Sequence, residues 1–175
     1  TNDEEESFYF FLNLLIYTEY GKLFKKDLEK LRKYFYVFER LISVLIPELY
    51  YHFKDNDIDV SYFVSPWFIT LYTNNFNNIK EKQNPKSFLR IFDIFILGGW
   101  KSIIKIGIAL LKSYEFNLMD LSSETLLKYL INNVCNLGFF QNENFDRLMN
   151  ITINFKIESN LIKTDSNLSN NSYNL

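Results

Sequence analysis

Leu28–Leu45 reads LEKLRKYFYVFERLISVL, and its apolar residues decide the fold class. Leu28, Leu31, Phe35, Phe38, Ile42 and Leu45 recur at steps of three and four, which at 3.6 residues per turn draws one stripe along a helix. Lys22, Lys26, Lys33 and Arg40 fall on the opposite face. Upstream, Gly21 marks a break. Before it, Asp3 to Glu6 place negative charge at the start of an apolar run, which suits the positive end of a helix dipole and predicts a helix from about Glu4 to Tyr17. Downstream, Pro47 ends or kinks the stripe and can occupy the first position of a short helix over Pro47–Phe53, followed by a polar turn at Asp55–Asp59.

The same period continues through the rest of the chain. Val60–Asn75 is read as a helix with Phe63, Trp67, Thr70, Leu71 and Asn74 on one side, started or kinked at Pro66, with Ser65 as its N-cap. Asn77–Asn84 is polar and reads as a loop, and Asn84 and Pro85 can open the next helix. Its buried stripe is Phe88, Ile91, Phe92 and Phe95, with Lys86, Arg90 and Asp93 opposite, and Gly98-Gly99 stop it. Trp100–Tyr114 is apolar almost all round, the pattern of a central helix, with Lys101, Lys105 and Lys112 on one narrow face. Two further helices are expected at about Ser123–Val134 and Glu143–Ile157, separated by Gly138 and an Asn/Gln loop. This divides the chain into a helical domain over 1–158 and a polar Asn/Ser-rich tail over 159–175 with little to bury.

Composition agrees with an all-α class. The 175 residues include only 5 Gly and 3 Pro, too few to punctuate the many turns of a β-sandwich or barrel, while 18 Phe, 12 Tyr and 2 Trp supply a large core. The formal net charge is −2, so the chain has no overall electrostatic footprint for nucleic acid. A single Cys, Cys135, excludes an internal disulfide, and with the single His, His52, it is too little for a Cys/His zinc site. A reducing, cytoplasmic setting fits. The run Phe8–Tyr17 follows acidic residues and is too short to span a bilayer, and Val60–Ile79 carries too many Ser, Thr and Asn, so no transmembrane segment is expected.

Chemistry is sparse. His52 is the only imidazole and reads as a helix-end residue, and Cys135 has no Cys-x-x-Cys partner and reads as a structural thiol. Neither G-x-x-x-x-G-K-[ST] nor G-x-G-x-x-G is present, so no backbone cradle for nucleotide phosphates exists here. Asp55, Asp57 and Asp59 lack the Gly and Glu of a calcium loop and read as a solvated turn. The one charge cluster is Lys22, Lys25, Lys26, Lys30, Arg32, Lys33 and Arg40, diluted by Asp27, Glu29 and Glu39: a solvated face or a docking surface for anionic lipid or an acidic partner.

At Ser65-Pro66-Trp67-Phe68 with Leu71-Tyr72, and at Arg90-Ile91-Phe92-Asp93-Ile94-Phe95 with Gly99, the sequence resembles the TBC domain, the GTPase-activating domain for Rab-type small GTPases. Pro47–Phe53, including His52, is similar to the family's P-x-L-x-x-H-hydrophobic helix, Trp67–Tyr72 to its W-F-hydrophobic-T-hydrophobic-[FY] motif, and Ile106–Leu111 to the apolar helix after the glycine. The match runs from about Glu4 to Leu130, and the helix Phe145–Ile157 resembles the one that commonly closes the domain. The loop Asn77–Asn84 is longer than the family's and lacks the Pro often found after the aromatic at Phe76, and Gly98 stands where the family has an acidic residue.

The resemblance implies a mechanism in which an Arg finger from I-x-x-D-x-x-R stabilises charge on the transferring phosphoryl group and a Gln finger from Y-x-Q orients the attacking water. Neither motif occurs: Arg32, Arg40, Arg90 and Arg147 lack that context, and Gln83 and Gln141 lack a Tyr two places before. The chain therefore resembles the second half of a TBC domain, an activator in membrane traffic that carries no catalytic residue and binds no cofactor itself, since GTP and Mg²⁺ belong to the partner GTPase. Its expected partners are a Rab-type GTPase and the missing N-terminal half, in the cytoplasm or peripherally on endomembranes. A TBC-like pseudo-activator or a helical interaction scaffold is the alternative. The motif residues Pro47, His52, Ser65, Trp67, Phe68, Arg90, Asp93 and Gly99 are expected to be mainly structural, with Trp67 in the core beside Phe63 and Leu71 and Arg90 paired to Asp93 on the helix surface.

Overall fold

A computed structural model of the chain describes residues 3–76 and 86–134 together with 146, 147 and 150. Among the described residues every regular element is helical. The helices are α1 (Glu4–Tyr17), α2 (Glu29–Leu45), α3 (Pro47–Asp55), α4 (Ser61–Ile69), α5 (Lys86–Met119) and α6 (Ser123–Asn132), with short 3₁₀ turns at Tyr20–Phe24, Lys26–Leu28 and Thr73–Phe76. Cys135, Gln83, Gln141, the loop Asn77–Asn84, the Asn84-Pro85 helix start, most of the helix expected over Glu143–Ile157 and the tail lie outside the described residues.

The α2 stripe packs as its spacing requires. Leu31, Phe38 and Ile42 are buried, joined by Leu41, and α2 lies against α3, α4 and α5. Leu28 is the exception, exposed because it precedes the helix in a left-handed conformation with φ of 51°. Pro47 opens α3 at its first position, where no intrahelical amide bond is lost. α1 starts as its acidic first turn predicts, with the Asp3 carboxylate accepting from the Glu5 amide at 2.9 Å.

The helix read over Val60–Asn75 stops earlier, at Ile69. Leu71 and Tyr72 take left-handed φ values of 49° and 65°, and the Tyr72 amide donates to the Trp67 carbonyl at 2.8 Å while the Leu71 amide donates to Phe68, the bond pattern of a Schellman stop. Such stops usually hold glycine, but here the apolar contact that accompanies them, Tyr72 against Trp67 with ring centroids 5.7 Å apart, favours the turn. Nor does Ser65 cap this helix. Pro66 sits inside it, the Ser65 hydroxyl donates back to the Ser61 carbonyl, and the capping oxygen belongs to Asp59, whose carboxylate accepts from the Ser61 amide at 2.8 Å.

The second part of α5 is the central helix. Ile103, Ile104, Ile106, Ile108, Ala109, Leu110 and Leu111 are all buried, while Lys101 and Lys112 are exposed. Gly107 lets α2 and the Schellman turn close on it: a Cβ there would lie 2.7 Å from the Phe38 ring and 2.8 Å from the Tyr72 hydroxyl. That hydroxyl donates to the Ile103 carbonyl at 2.9 Å. Although no span was expected, Leu89–Met119 is long and apolar enough to cross a membrane by length and composition; 56% of its most apolar window is buried inside the protein, and Gly99 breaks it, so its apolar face is the core of this fold.

Candidate functional site

The helix break at Gly98-Gly99 sets up a junction centred on Trp100. Gly99 has φ of 59° and ψ of −154°, a backbone region essentially restricted to glycine, and this kink separates the two segments of α5. Immediately after it, the Trp100 indole donates to the Thr18 carbonyl at 3.1 Å, fixing the C-terminal end of α1. Tyr34 of α2 and Tyr20 stack on the same indole, with centroids 4.6 and 6.0 Å away, and Phe95 and Phe68 meet it edge-on. The Tyr20 hydroxyl donates to the Ile69 carbonyl at the end of α4. Burial pushes the Tyr20 and Tyr34 phenols above their ordinary range, so both stay protonated. One residue thus ties together the end of α1, the first 3₁₀ turn, α2, α4 and both segments of α5.

Held by its last turns, where Leu14 is buried and Leu12 and Leu15 are half-buried, α1 leaves most of its remaining surface exposed. Leu14 is its only buried residue, whereas Phe8, Tyr9, Phe10, Phe11, Ile16 and Tyr17 are each more than half exposed. Five aromatic rings on one 14-residue helix form an apolar surface of the kind that marks an interaction site.

The motif residues fall mostly in the frame. Trp67 and Phe68 are buried on α4, with Phe63 edge-on to Trp67 at 5.2 Å, as expected of core residues. The Trp67 indole nitrogen is buried with no hydrogen-bond partner among the described residues, so this side chain acts through its apolar body. His52 does more than end a helix: its Nε2 lies 3.1 Å from the Leu121 carbonyl, tying α3 to the segment before α6, and Nδ1 lies 3.4 Å from the Asn56 amide nitrogen. Both contacts are satisfied at once by the tautomer protonated on Nε2. Arg90 does not pair with Asp93; its guanidinium reaches the Asp146 carboxylate at 2.8 Å, while Asp93 is exposed one turn along. The i, i+3 spacing allowed the local pair, and a long-range partner displaced it.

Trp100, Tyr20, Tyr34 and Thr18 were not singled out by the sequence as a group. The signal present was Gly-Gly-Trp directly after an aromatic stripe, which marks a break followed by a ring but not what the ring stacks on. No group of three or more His, Cys, Asp or Glu that could hold a metal occurs among the described residues. Of the arginines, Arg32 donates to the Asp27 carbonyl and Arg90 is held by Asp146.

The family model for the Rab-GTPase-TBC domain matches residues 1–119. Among curated proteins the chain is similar to Ecotropic viral integration site 5 protein of Mus musculus, 33% identical over 126 residues that make up 72% of this chain and 15% of that protein. It is 31% identical to TBC1 domain family member 4 of Mus musculus over 73% of this chain and 9% of that protein. It is also 32% identical to Rab GTPase-activating protein eat-17 of Caenorhabditis elegans over 72% of this chain and 13% of that protein. The chain spans a small fraction of the length of these relatives, and it carries the tryptophan, arginine-aspartate and glycine motifs in order on the helices just described. On the extent of the family match, the chain belongs to the Rab-GTPase-TBC domain family.

Proposed function

We propose that this chain is the C-terminal part of a TBC domain and serves in a GTPase-activating protein for Rab-type small GTPases in vesicle traffic. The observation that carries the reading is the family match over residues 1–119, and the exposed aromatic rings around α1 support it. In this reading α1 packs against the preceding half of the domain, which brings the Arg and Gln fingers. The Trp100 junction fixes the position of α1 and therefore the angle between the halves. GTP and Mg²⁺ stay with the GTPase, and no residue of this chain touches the reacting phosphoryl group. The protein works in the cytoplasm and peripherally on endomembranes.

The experiment is a single-turnover phosphate-release assay against a panel of Rab-type GTPases, run with this chain and with a version extended upstream. A trans-acting Arg accounts for roughly 10³–10⁵-fold in such reactions, so only the extended version should accelerate hydrolysis. Comparable stimulation by the short chain would refute the division of labour.

A further inference from the structure

An open cleft of about 620 Å³ beside the first 3₁₀ turn and α2 is lined by Lys22, Lys25, Lys26, Glu29, Lys30 and Lys33. Residues 19–33 hold six cations and three carboxylates, a local charge of +3 in a chain whose total is −2. Part of this charge is already used: Lys22 and Lys30 both pair with Glu19, and Lys33 pairs with Glu29. Lys25 and Lys26 are exposed and make no ion pair among the described residues. The same short stretch exposes two apolar side chains, Phe24 at 55% and Leu28 at 45%. Left-handed backbone at Asp27 and Leu28 folds the stretch tightly, so within five residues Lys25 and Lys26, followed by Asp27, lie between the exposed Phe24 and Leu28.

We propose that this turn docks on an anionic bilayer, with Lys25 and Lys26 at the lipid phosphates and carboxylates and Phe24 and Leu28 entering the interfacial layer. Charge complementarity alone would suit any polyanion. The apolar pair selects the bilayer, because a soluble polyanion would engage the lysines and leave Phe24 and Leu28 in water, whereas a membrane surface accepts both kinds of group. Phe24 also lies edge-on to Tyr20 of the Trp100 junction, with ring centroids 5.4 Å apart, which holds it in place while leaving it 55% exposed, and the inference does not depend on GTPase activation.

Sedimentation of the full chain with vesicles tests it, comparing phosphatidylcholine alone with phosphatidylcholine containing about one-third phosphatidylserine. Binding should require the anionic lipid and weaken with salt. Each lysine near an anionic surface contributes about fivefold to partitioning, so K25A/K26A should weaken binding by roughly 25-fold. F24A/L28A should weaken it at least about tenfold while retaining all charges, and both variants should keep the circular dichroism of the parent because the altered side chains are exposed. Equal sedimentation with phosphatidylcholine alone, or unchanged binding by K25A/K26A, would overturn the proposal. Unchanged binding by F24A/L28A together with full displacement by inositol hexakisphosphate would overturn it in favour of a soluble polyanion.

Discussion

Gly107→Ala sets two physical effects of opposite sign against each other. In an isolated helix alanine is favoured over glycine by about 1 kcal/mol, so local propensity alone predicts a more stable protein. The structure predicts the reverse. The added Cβ would stand 2.7 Å from the Phe38 ring and 2.8 Å from the Tyr72 hydroxyl, well inside van der Waals contact, and both neighbours are fully buried with no room to retreat. Overpacking of this kind costs roughly 1–3 kcal/mol, and moving Tyr72 also strains its bond to the Ile103 carbonyl, worth about 0.5–1.5 kcal/mol. Together these exceed the propensity gain, leaving a net loss of roughly 1–3 kcal/mol. In a chain of this size that is a fall of roughly 3–10 °C in Tm, readable by thermal melting or urea unfolding. Gly21→Ala is the control, because its Cβ meets nothing nearer than 3.6 Å. In the double variant Gly107→Ala/Tyr72→Phe the loss should be less than additive, since the hydroxyl that clashes is gone. A Gly107→Ala protein as stable as the parent, or more so, would refute the packing at this crossing.

Trp67→Ala should cost about 3–5 kcal/mol and bring the fold close to its limit, whereas Trp67→Phe, which keeps an aromatic ring and loses no bond at the indole nitrogen, should be much milder; equal losses in urea unfolding would refute the reading that the apolar body carries the residue's role. Asp59 gives the pH prediction. Its hydrogen bonds from Ser61, and then the nearby Lys54 charge, hold its carboxyl below the usual aspartate range despite the opposing effect of burial. A depressed folded pKa means that the stabilisation is complete above the unfolded value of about 3.9 and is lost as pH falls through the lower folded value. Asp59→Ala should therefore be less stable by about 0.5–2 kcal/mol at neutral pH, and the gap from the parent should close under acid; a gap that stays constant down to pH 2 would contradict the cap.

Periodicity settled the helical class and most helix positions, because a stripe such as Leu31, Phe38 and Ile42 is a local property that any burial must respect. Gly98-Gly99 was likewise legible as a break, since glycine alone readily takes the positive φ that Gly99 adopts. The α4 end was not: Leu71 and Tyr72 are ordinary strand or helix residues by propensity, and they hold left-handed conformations because Tyr72 reaches the Trp67 ring and the Ile103 carbonyl. The same holds for Arg90, whose spacing from Asp93 offered a local pair that Asp146, 56 residues away, displaced. His52 needed Leu121, and Trp100 needed Thr18, Tyr20 and Tyr34, none of which spacing connects. The sequence by itself determined what repeats every turn, along with the order of motifs that marks the family. Only the tertiary structure decided which side chains meet across long separations, because those contacts depend on helix crossings that no local period encodes, and with them it decided that the aromatic rings of α1 stay exposed.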